Sequence, residues 1–247
     1  MPENISFNSI KNWDNKTWLS SPNYVRTFNK FLIKHTKITK TSKILDIGCG
    51  RGKILGNLSS KLKLRNKPLG IDIENHKDKD KRINFKRIDA ISFFKKTKKT
   101  FDLILIKQTI HLLKVNEIEK LLALCMKKLD CNGKLVILTL DPSQNQIPTF
   151  PLMSKRLKAS LKRDKIIVRM IFKLYPQRKL KKFIFNVKIY KRKYIEMIKN
   201  KYISILLNFS SQDISDGVNE INLKFKKILS FKDKLQCVII ESNYKVK

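Results

Sequence analysis

One stretch constrains what this chain can fold into, Lys43-Ile-Leu-Asp-Ile-Gly-Cys-Gly-Arg-Gly-Lys-Ile-Leu55. The short apolar run Ile44 to Ile47 predicts a strand, and the alternating Gly48, Gly50 and Gly52 predict a tight turn. Ile54, Leu55 and Leu58 then predict the inner face of a helix. The protein has seven glycines, and Gly48, Gly50, Gly52 and Gly56 crowd into this one turn and the helix after it. Glycine is needed where the backbone takes φ > 0 or presses against a ligand. Backbone N–H groups at a helix start suit the polar or charged end of a bound small molecule.

Beyond this turn, strand and helix continue to alternate. Strands are predicted at 43–47, 68–73, 83–88, 101–106 and 134–140, and helices at 52–62, 90–96 and 115–129. The last carries Val115, Ile118, Leu121, Leu122, Cys125 and Leu129 at helical spacing, with a turn predicted at Asp130-Cys-Asn-Gly133. Apolar strands between amphipathic helices predict an α/β fold, a mostly parallel sheet covered on both faces. In such sheets ligands sit beyond the carboxyl ends of the strands, which puts Gly48 to Gly52, Asp72, Asp89 and Lys107 to His111 on one rim.

Before this core, Trp13, Trp18, Tyr24, Phe28, Phe31 and Leu32 predict one or two amphipathic helices, the second beginning after Ser21-Pro22. Such a cap either packs on the sheet or covers the glycine loop. After the core, Asp141-Pro142, Pro148 and Pro151 end the alternation. A helix is predicted over 153–174, an extended run over 183–189, and helices over 191–207 and from Ser211. Ile228 to Phe231 and Leu235 to Ile240 predict a hairpin turning at Lys232-Asp-Lys234.

The formal charge of +35 raises the question of an anionic partner. Between 151 and 205 there are 18 Lys or Arg and only Asp164 and Glu196 as acids. Yet the lysines are spread almost everywhere rather than on one face, and the chain has only three alanines, Ala90, Ala123 and Ala159. That fits compositional drift better than an electrostatic footprint. Four scattered cysteines without a CxxC pair predict neither disulfides nor a zinc site. With no apolar run of the ~18–20 residues needed to span a bilayer and no signal-peptide core, a cytoplasmic protein is expected.

A lone glycine-rich turn is weak evidence, but here it opens a series. Asp46-x-Gly48-x-Gly50-x-Gly52 is followed by Gly70-Ile-Asp72, where a carboxylate at a strand end can accept from both hydroxyls of a ribose. Ile88-Asp89-Ala90 offers an acceptor for an exocyclic amine, Phe101-Asp102 opens the fourth strand, and Asn132-Gly133-Lys134 leads into the fifth. With these motifs in order over about residues 43–140, the chain resembles the class I S-adenosylmethionine-dependent methyltransferases. The resemblance implies a seven-stranded Rossmann-like sheet with an antiparallel terminal strand. It divides the chain into a helical cap (1–42), a cofactor-binding core (43–150), an inserted lid (151–227) and a closing β-hairpin (228–247).

By the same resemblance, S-adenosyl-L-methionine is the cofactor. Asp46 opens the motif, and the backbone of Gly48, Cys49 and Gly50 faces the methionine moiety. Asp72 takes the ribose, Ile73 packs on the adenine, Asp89 takes its amino group next to Ala90, and Gln108 lies beside the cofactor. The G-x-G-x-x-G spacing of nicotinamide-binding loops is absent. One departure is the polar run Asn75 to Arg82, which leaves the helix between the second and third strands shortened or missing.

Methyl transfer asks mainly for in-line positioning and exclusion of water. A base is needed only when the nucleophile must lose a proton. His111, in Lys107-Gln-Thr-Ile-His111-Leu-Leu, is the candidate catalytic base; no metal ligands are expected. The 151–227 insertion is similar to the substrate-covering segment of small-molecule methyltransferases of the trans-aconitate type. The leading expectation is therefore a small-molecule substrate, anionic if the basic insertion acts as a clamp. RNA is the alternative acceptor, although the fourth strand ends in Lys107-Gln108 and the fifth in Thr139-Leu-Asp141. A non-catalytic cofactor-binding module anchored on an anionic surface is the third reading.

Overall fold

The structure, a computed structural model, describes residues 17–242. Its elements run α1 (Pro22–Thr36), β1 (Ile44–Ile47), α2 (Lys53–Leu62), β2 (Leu69–Asp72), β3 (Asn84–Arg87), α3 (Ala90–Lys96), β4 (Phe101–Lys107) and α4 (Val115–Lys127). They continue with β5 (Leu129–Leu140), α5 (Pro151–Leu174), β6 (Lys179–Tyr190), α6 (Lys191–Lys199), α7 (Ser211–Lys224) and β7 (Ile228–Glu241). The strands form a seven-stranded sheet in the order β3-β2-β1-β4-β5-β7-β6. Pairings β1–β2, β1–β4, β2–β3 and β4–β5 are parallel, and β5–β7 is antiparallel. The expected α/β sheet with an antiparallel terminal strand is present. Trp13 lies outside the described residues.

The chain gathers into two compact units. Among the described residues, one comprises Val25 to Leu140, Asp164 to Phe183 and Leu235 to Ser242; the other comprises Thr17 to Tyr24, Asp141 to Arg163 and Ile184 to Lys234.

In the first unit the sheet centre is apolar apart from Asp46 of β1. All four residues of β1 are buried, and so are Leu103 to Ile106 of β4 and Leu135 to Leu138 of β5. That is the pattern of a parallel sheet covered on both faces. Helix α4 turns Ile118, Leu121, Leu122 and Cys125 into this core, whereas Val115, at its first turn, is exposed. From α1, the fully buried Phe28 sets its ring edge against Phe183, with centroids 5.1 Å apart. Asn29 is fully buried on the same helix and donates from Nδ2 to the Ile54 carbonyl (3.0 Å) and Asn57 Oδ1 (2.9 Å). These bonds fasten α1 to α2.

The predicted turn at Asp130 to Gly133 lies inside β5 instead of before it. The register against β4 slips there, Phe101 facing Leu129 and Leu103 facing Lys134. Asn132 takes φ 62, and a Cβ on Gly133 would come within 2.9 Å of the Phe101 carbonyl. The turn residues thus form a bulge pressed against the neighbouring strand.

In the second unit, α7 begins with a reciprocal cap. Ser210 Oγ accepts from the Asp213 N–H (3.0 Å), and the Asp213 carboxylate accepts from the Ser210 N–H (2.9 Å). The helix predicted over 191–207 stops at Lys199, because Lys201 enters the left-handed region (φ 52) and the Tyr202 N–H closes on the Met197 carbonyl (2.9 Å). Gly217 lets the Phe150 ring approach to where a Cβ would sit 2.5 Å away.

The closing hairpin does not form; Ile228 to Glu241 is one strand. Leu229, Phe231, Asp233, Leu235 and Cys237 alternate inward, and Asp233 stays buried because the Trp18 indole Nε1–H donates to its Oδ2 at 3.0 Å. A satisfied buried carboxylate keeps the period of two running through a sequence that reads as a polar turn.

Candidate functional site

Strands β1, β2, β3 and β4 are parallel and in register, Ile47 facing both Ile71 and Ile106, and Asp72 facing Arg87. Their carboxyl ends therefore release Gly48, Ile73, Ile88 and Gln108 along one edge of the sheet.

The glycine loop is held from beneath by β2. The Gly48 and Cys49 N–H groups both donate to the Ile71 carbonyl, at 2.9 and 3.1 Å. Gly48, Gly50 and Gly52 have φ of 71°, 54° and 70°, a region that strains residues bearing a Cβ. Asp72 then ties the loop to the strand end. Its Oδ2 accepts from the Gly50 N–H at 2.8 Å, and its Oδ1 accepts from the Glu74 N–H at 3.0 Å. Each oxygen retains a second lone pair for a ligand. Ile73, next in the chain, is an exposed large apolar residue with 43% of its surface open.

No helix forms between β2 and β3, as the polar run Asn75 to Arg82 predicts. The run folds instead over the glycine loop. The Asp80 N–H donates to the Arg51 carbonyl (2.9 Å), and the buried Arg51 guanidinium pairs with Asp78. Gly56 permits this approach, because a Cβ there would lie 2.2 Å from the Asp80 carboxyl carbon.

Asp46, near the end of β1, is only 4% exposed, and burial pushes its carboxyl up to about 8. The Lys107 ammonium pulls the other way and the Asp72 carboxylate adds to the rise. Cys49 is half-buried, and burial together with Asp46 and Asp72 raises its thiol, so it stays protonated and is not a nucleophile.

Asp89 is exposed and caps α3, its Oδ1 accepting from the Ser92 N–H at 2.8 Å; this bond holds its carboxyl below the usual range. Ala90 is the first helical residue. Asp89→Ala is expected to cost about 1 kcal/mol through the lost cap, and Asp89→Ser to restore most of it, as measured by denaturant unfolding.

At the end of β4, Gln108 takes φ 52 while its N–H still reaches the Leu138 carbonyl (2.8 Å). A left-handed glutamine is uncommon and is held by its surroundings. Lys107 Nζ donates to Gln108 Oε1 at 2.8 Å and lies 5.5 Å from the centre of the Phe28 ring. Thr109 Oγ1 donates to the Lys107 carbonyl (3.1 Å) and fills the space beside Gly48. His111 is half-buried in the helical turn Ile110 to Leu112, which the buried Ile110 anchors.

The residues named from sequence thus gather on one rim. Gly48, Cys49, Gly50 and Asp72 are tied through the bonds above, Asp46 interacts electrostatically with Lys107 and Asp72, and Ile73, Asp89, Ala90, Gln108 and His111 stand at the adjoining strand ends. Sequence reasoning put Lys107, Thr109 and Arg51 on this rim without giving them a role, and it passed over Asp78. A lone Arg among the loop glycines and the acids at 78 and 80 were the available signals. Among the described residues no group of three or more His, Cys, Asp or Glu is placed to hold a metal, and no helix is long and apolar enough to cross a membrane.

A sheet of this order with a glycine loop and an acidic second strand end defines a nucleoside-type cofactor fold. Residues 44–133 match the family model described as a methyltransferase domain. The match spans β1 to the bulge of β5 and so takes in the glycine loop and the strand ends around it. No curated protein matches the chain.

Among solved structures it is similar to a putative methyltransferase from an antibiotic biosynthesis pathway of Anabaena variabilis (13% identity, 85% of this chain and 95% of that one, TM-score 0.58). It is also similar to the plantazolicin methyltransferase BpumL in complex with a triazolic desmethylPZN analog and SAH (18%, 95% and 90%, 0.51). A third is the N-methyltransferase NodS from Bradyrhizobium japonicum in complex with S-adenosyl-L-homocysteine (13%, 97% and 98%, 0.51). At these identities the likeness concerns the fold.

Proposed function

We propose that the chain methylates a small molecule by in-line transfer to an O, N or C nucleophile. The observation that carries this reading is the joint construction of the rim: a left-handed glycine loop fastened to the oriented Asp72 carboxylate, beside a strained Gln108. Bound S-adenosylmethionine supplies a methyl group activated on a sulfonium. Asp72 holds the ribose hydroxyls with the lone pairs left by Gly50 and Glu74. Ile73 offers its exposed side chain to the adenine, and Asp89, fixed by its cap, accepts from the adenine amino group next to Ala90. The Gly48-Cys49-Gly50 backbone approaches the methionine moiety closely, since no Cβ intervenes at either glycine. His111 removes the proton when the nucleophile carries one.

Asp72→Ala is expected to weaken S-adenosylhomocysteine binding by about 100-fold, the loss of two hydrogen bonds to a charged group at ~1.5–3 kcal/mol each, less what water recovers. Titration calorimetry measures it, and an affinity within threefold of wild type removes Asp72 from the site. His111→Asn is expected to lower kcat about 100-fold, within the usual range for general-base catalysis, with cofactor affinity unchanged. A kcat within a factor of three excludes the base.

The charge of +35 favours RNA as a second acceptor class. Labelled cofactor offered to small-molecule extracts and to RNA separates the two. Label only in RNA overturns the small-molecule reading, and cofactor binding without label in either pool identifies a non-catalytic module.

A further inference from the structure

The first unit holds a cavity of about 510 Å³ at the sheet edge away from the glycine loop. Asp102 lines it at the start of β4, Lys134 at the bulge of β5, Lys179 at the start of β6 and Glu241 at the end of β7. The loop after α1 adds Lys37, Thr39 and Ser42. A volume of this size is in the usual range for small-molecule sites. Its polar walls are already pinned. The Thr39 N–H donates to Ser42 Oγ at 3.0 Å, and the Lys43 N–H donates to Asp102 Oδ2 at 2.6 Å. Lys134 and Lys179 both reach Glu241 Oε1, at 3.2 and 2.8 Å. The Lys179 bond, helped by Lys134, holds the Glu241 carboxyl below its ordinary range and so keeps it ionised.

Two kinds of group are left over. Asp102 and Glu241 each keep a second carboxylate oxygen that no protein donor fills among the described residues. Lys37 is exposed, and among the described residues no carboxylate pairs with it. Three lysines against two carboxylates give the lining one surplus positive charge, and Lys37 is the lysine of the three without a partner. We infer that this cavity binds a polyhydroxylated monocarboxylate, a sugar acid in chemical class, with the carboxylate on Lys37 and hydroxyls donating to Asp102 and Glu241. One surplus charge matches one carboxylate, whereas a phosphate monoester brings close to two charges to a wall that already holds two carboxylates. The open carboxylate oxygens accept hydrogen bonds and cannot donate them, so the rest of the ligand must supply O–H groups. The site stands apart from the cofactor rim and does not depend on the reading of that rim.

Cys131 lines the cavity and is exposed, whereas Cys49 is half-buried and Cys125 and Cys237 are buried. Its alkylation by iodoacetamide, an uncharged reagent, is followed by mass spectrometry of the Cys131 peptide and reports occupancy. The full chain is titrated with sodium gluconate and, at matched ionic strength, with sorbitol, sodium acetate and inorganic phosphate. With gluconate the expected result is a saturable slowing, about tenfold at ten times the half-saturating concentration, where about a tenth of the sites stay empty. Lys37→Met is expected to raise that concentration about tenfold, the worth of one charge-assisted hydrogen bond. Lys158→Met removes an exposed charge of α5 outside the cavity and is expected to shift it less than about twofold. No slowing with gluconate overturns the site, and so does an equal shift in the two variants, which would mean bulk attraction to a basic chain. Equal slowing by sorbitol, acetate or phosphate overturns the hydroxy-acid assignment. A variant that fails to fold shows itself by alkylation at Cys125 and Cys237, and Lys37→Gln then takes its place.

Discussion

Gly48→Ala is expected to weaken S-adenosylhomocysteine binding at least 100-fold and to lower stability by about 2–4 kcal/mol, the range of strain added to a core clash. Two separate costs combine. The first is conformational: Gly48 sits at φ 71, where a Cβ meets its own backbone at about 1–2 kcal/mol. The second is steric: the new Cβ would lie 2.2 Å from Thr109 Oγ1, 2.4 Å from its Cγ2 and 2.8 Å from its Cβ. Thr109 cannot simply swing aside, because its hydroxyl holds the Lys107 carbonyl. Moving it also moves the Gln108 turn.

A double-mutant cycle separates the two costs. Thr109→Gly removes the three atoms nearest the new Cβ, all closer than 3.0 Å, so the double variant keeps the conformational cost and loses most of the steric one. A coupling of about 1–2 kcal/mol in favour of the double variant is expected, as for residues in contact. Additive losses would show that φ alone decides. Calorimetry with S-adenosylhomocysteine, run beside denaturant unfolding, reads both costs.

The glycine loop was legible in sequence because positive φ selects glycine at 48, 50 and 52, and close approach of Thr109 and Ile83 selects it again at 48 and 52. The strands were legible because a doubly covered parallel sheet leaves unbroken apolar runs such as Ile44 to Ile47 and Leu103 to Ile106. Local reading failed where a distant residue satisfies a polar group. Lys232-Asp-Lys234 has the composition of a turn, and Trp18, far away in sequence, helps to hold Asp233 as an inward strand residue. The run Asn75 to Arg82 likewise shows no period, because it binds through Asp78 and the Asp80 backbone to Arg51 and leaves the apolar contact to Ile83, whose Cδ1 lies 2.1 Å from where a Cβ on Gly52 would sit. Gly56 belongs to that packing rather than to the ligand turn, a distinction invisible in a count of clustered glycines. Lys107 was left without a role for a related reason: a lysine ending a strand in a lysine-rich chain carries no signal until its Gln108 contact is seen.

Asp46 supplies a test that needs no substrate. Burial raises its carboxyl to about 8 in the folded protein, against about 3.9 in an unfolded chain. Between those values the folded state binds a proton that the unfolded state has released. The contribution of Asp46 to stability therefore falls as pH rises from about 4 to about 8, with a limiting slope of about 1.4 kcal/mol per pH unit. Asp46→Asn keeps the shape and removes the titration. The variant is expected to match wild type near pH 4 and to exceed it by on the order of 2–5 kcal/mol near pH 8, the upper figure being the full linkage across the window. Denaturant unfolding across this range measures the difference. A constant offset between the two proteins would mean that Asp46 ionises in the folded state near its ordinary value. Lys107 then enters as a second check, because its ammonium is the neighbour that holds the Asp46 carboxyl down. Lys107→Met is expected to raise the Asp46 midpoint further and steepen the loss of stability towards pH 8, while in the Asp46→Asn background the same substitution leaves the pH profile between 4 and 8 unchanged. Removing the acid first and the lysine second thus isolates the electrostatic contact between Asp46 at the end of β1 and Lys107 at the end of β4.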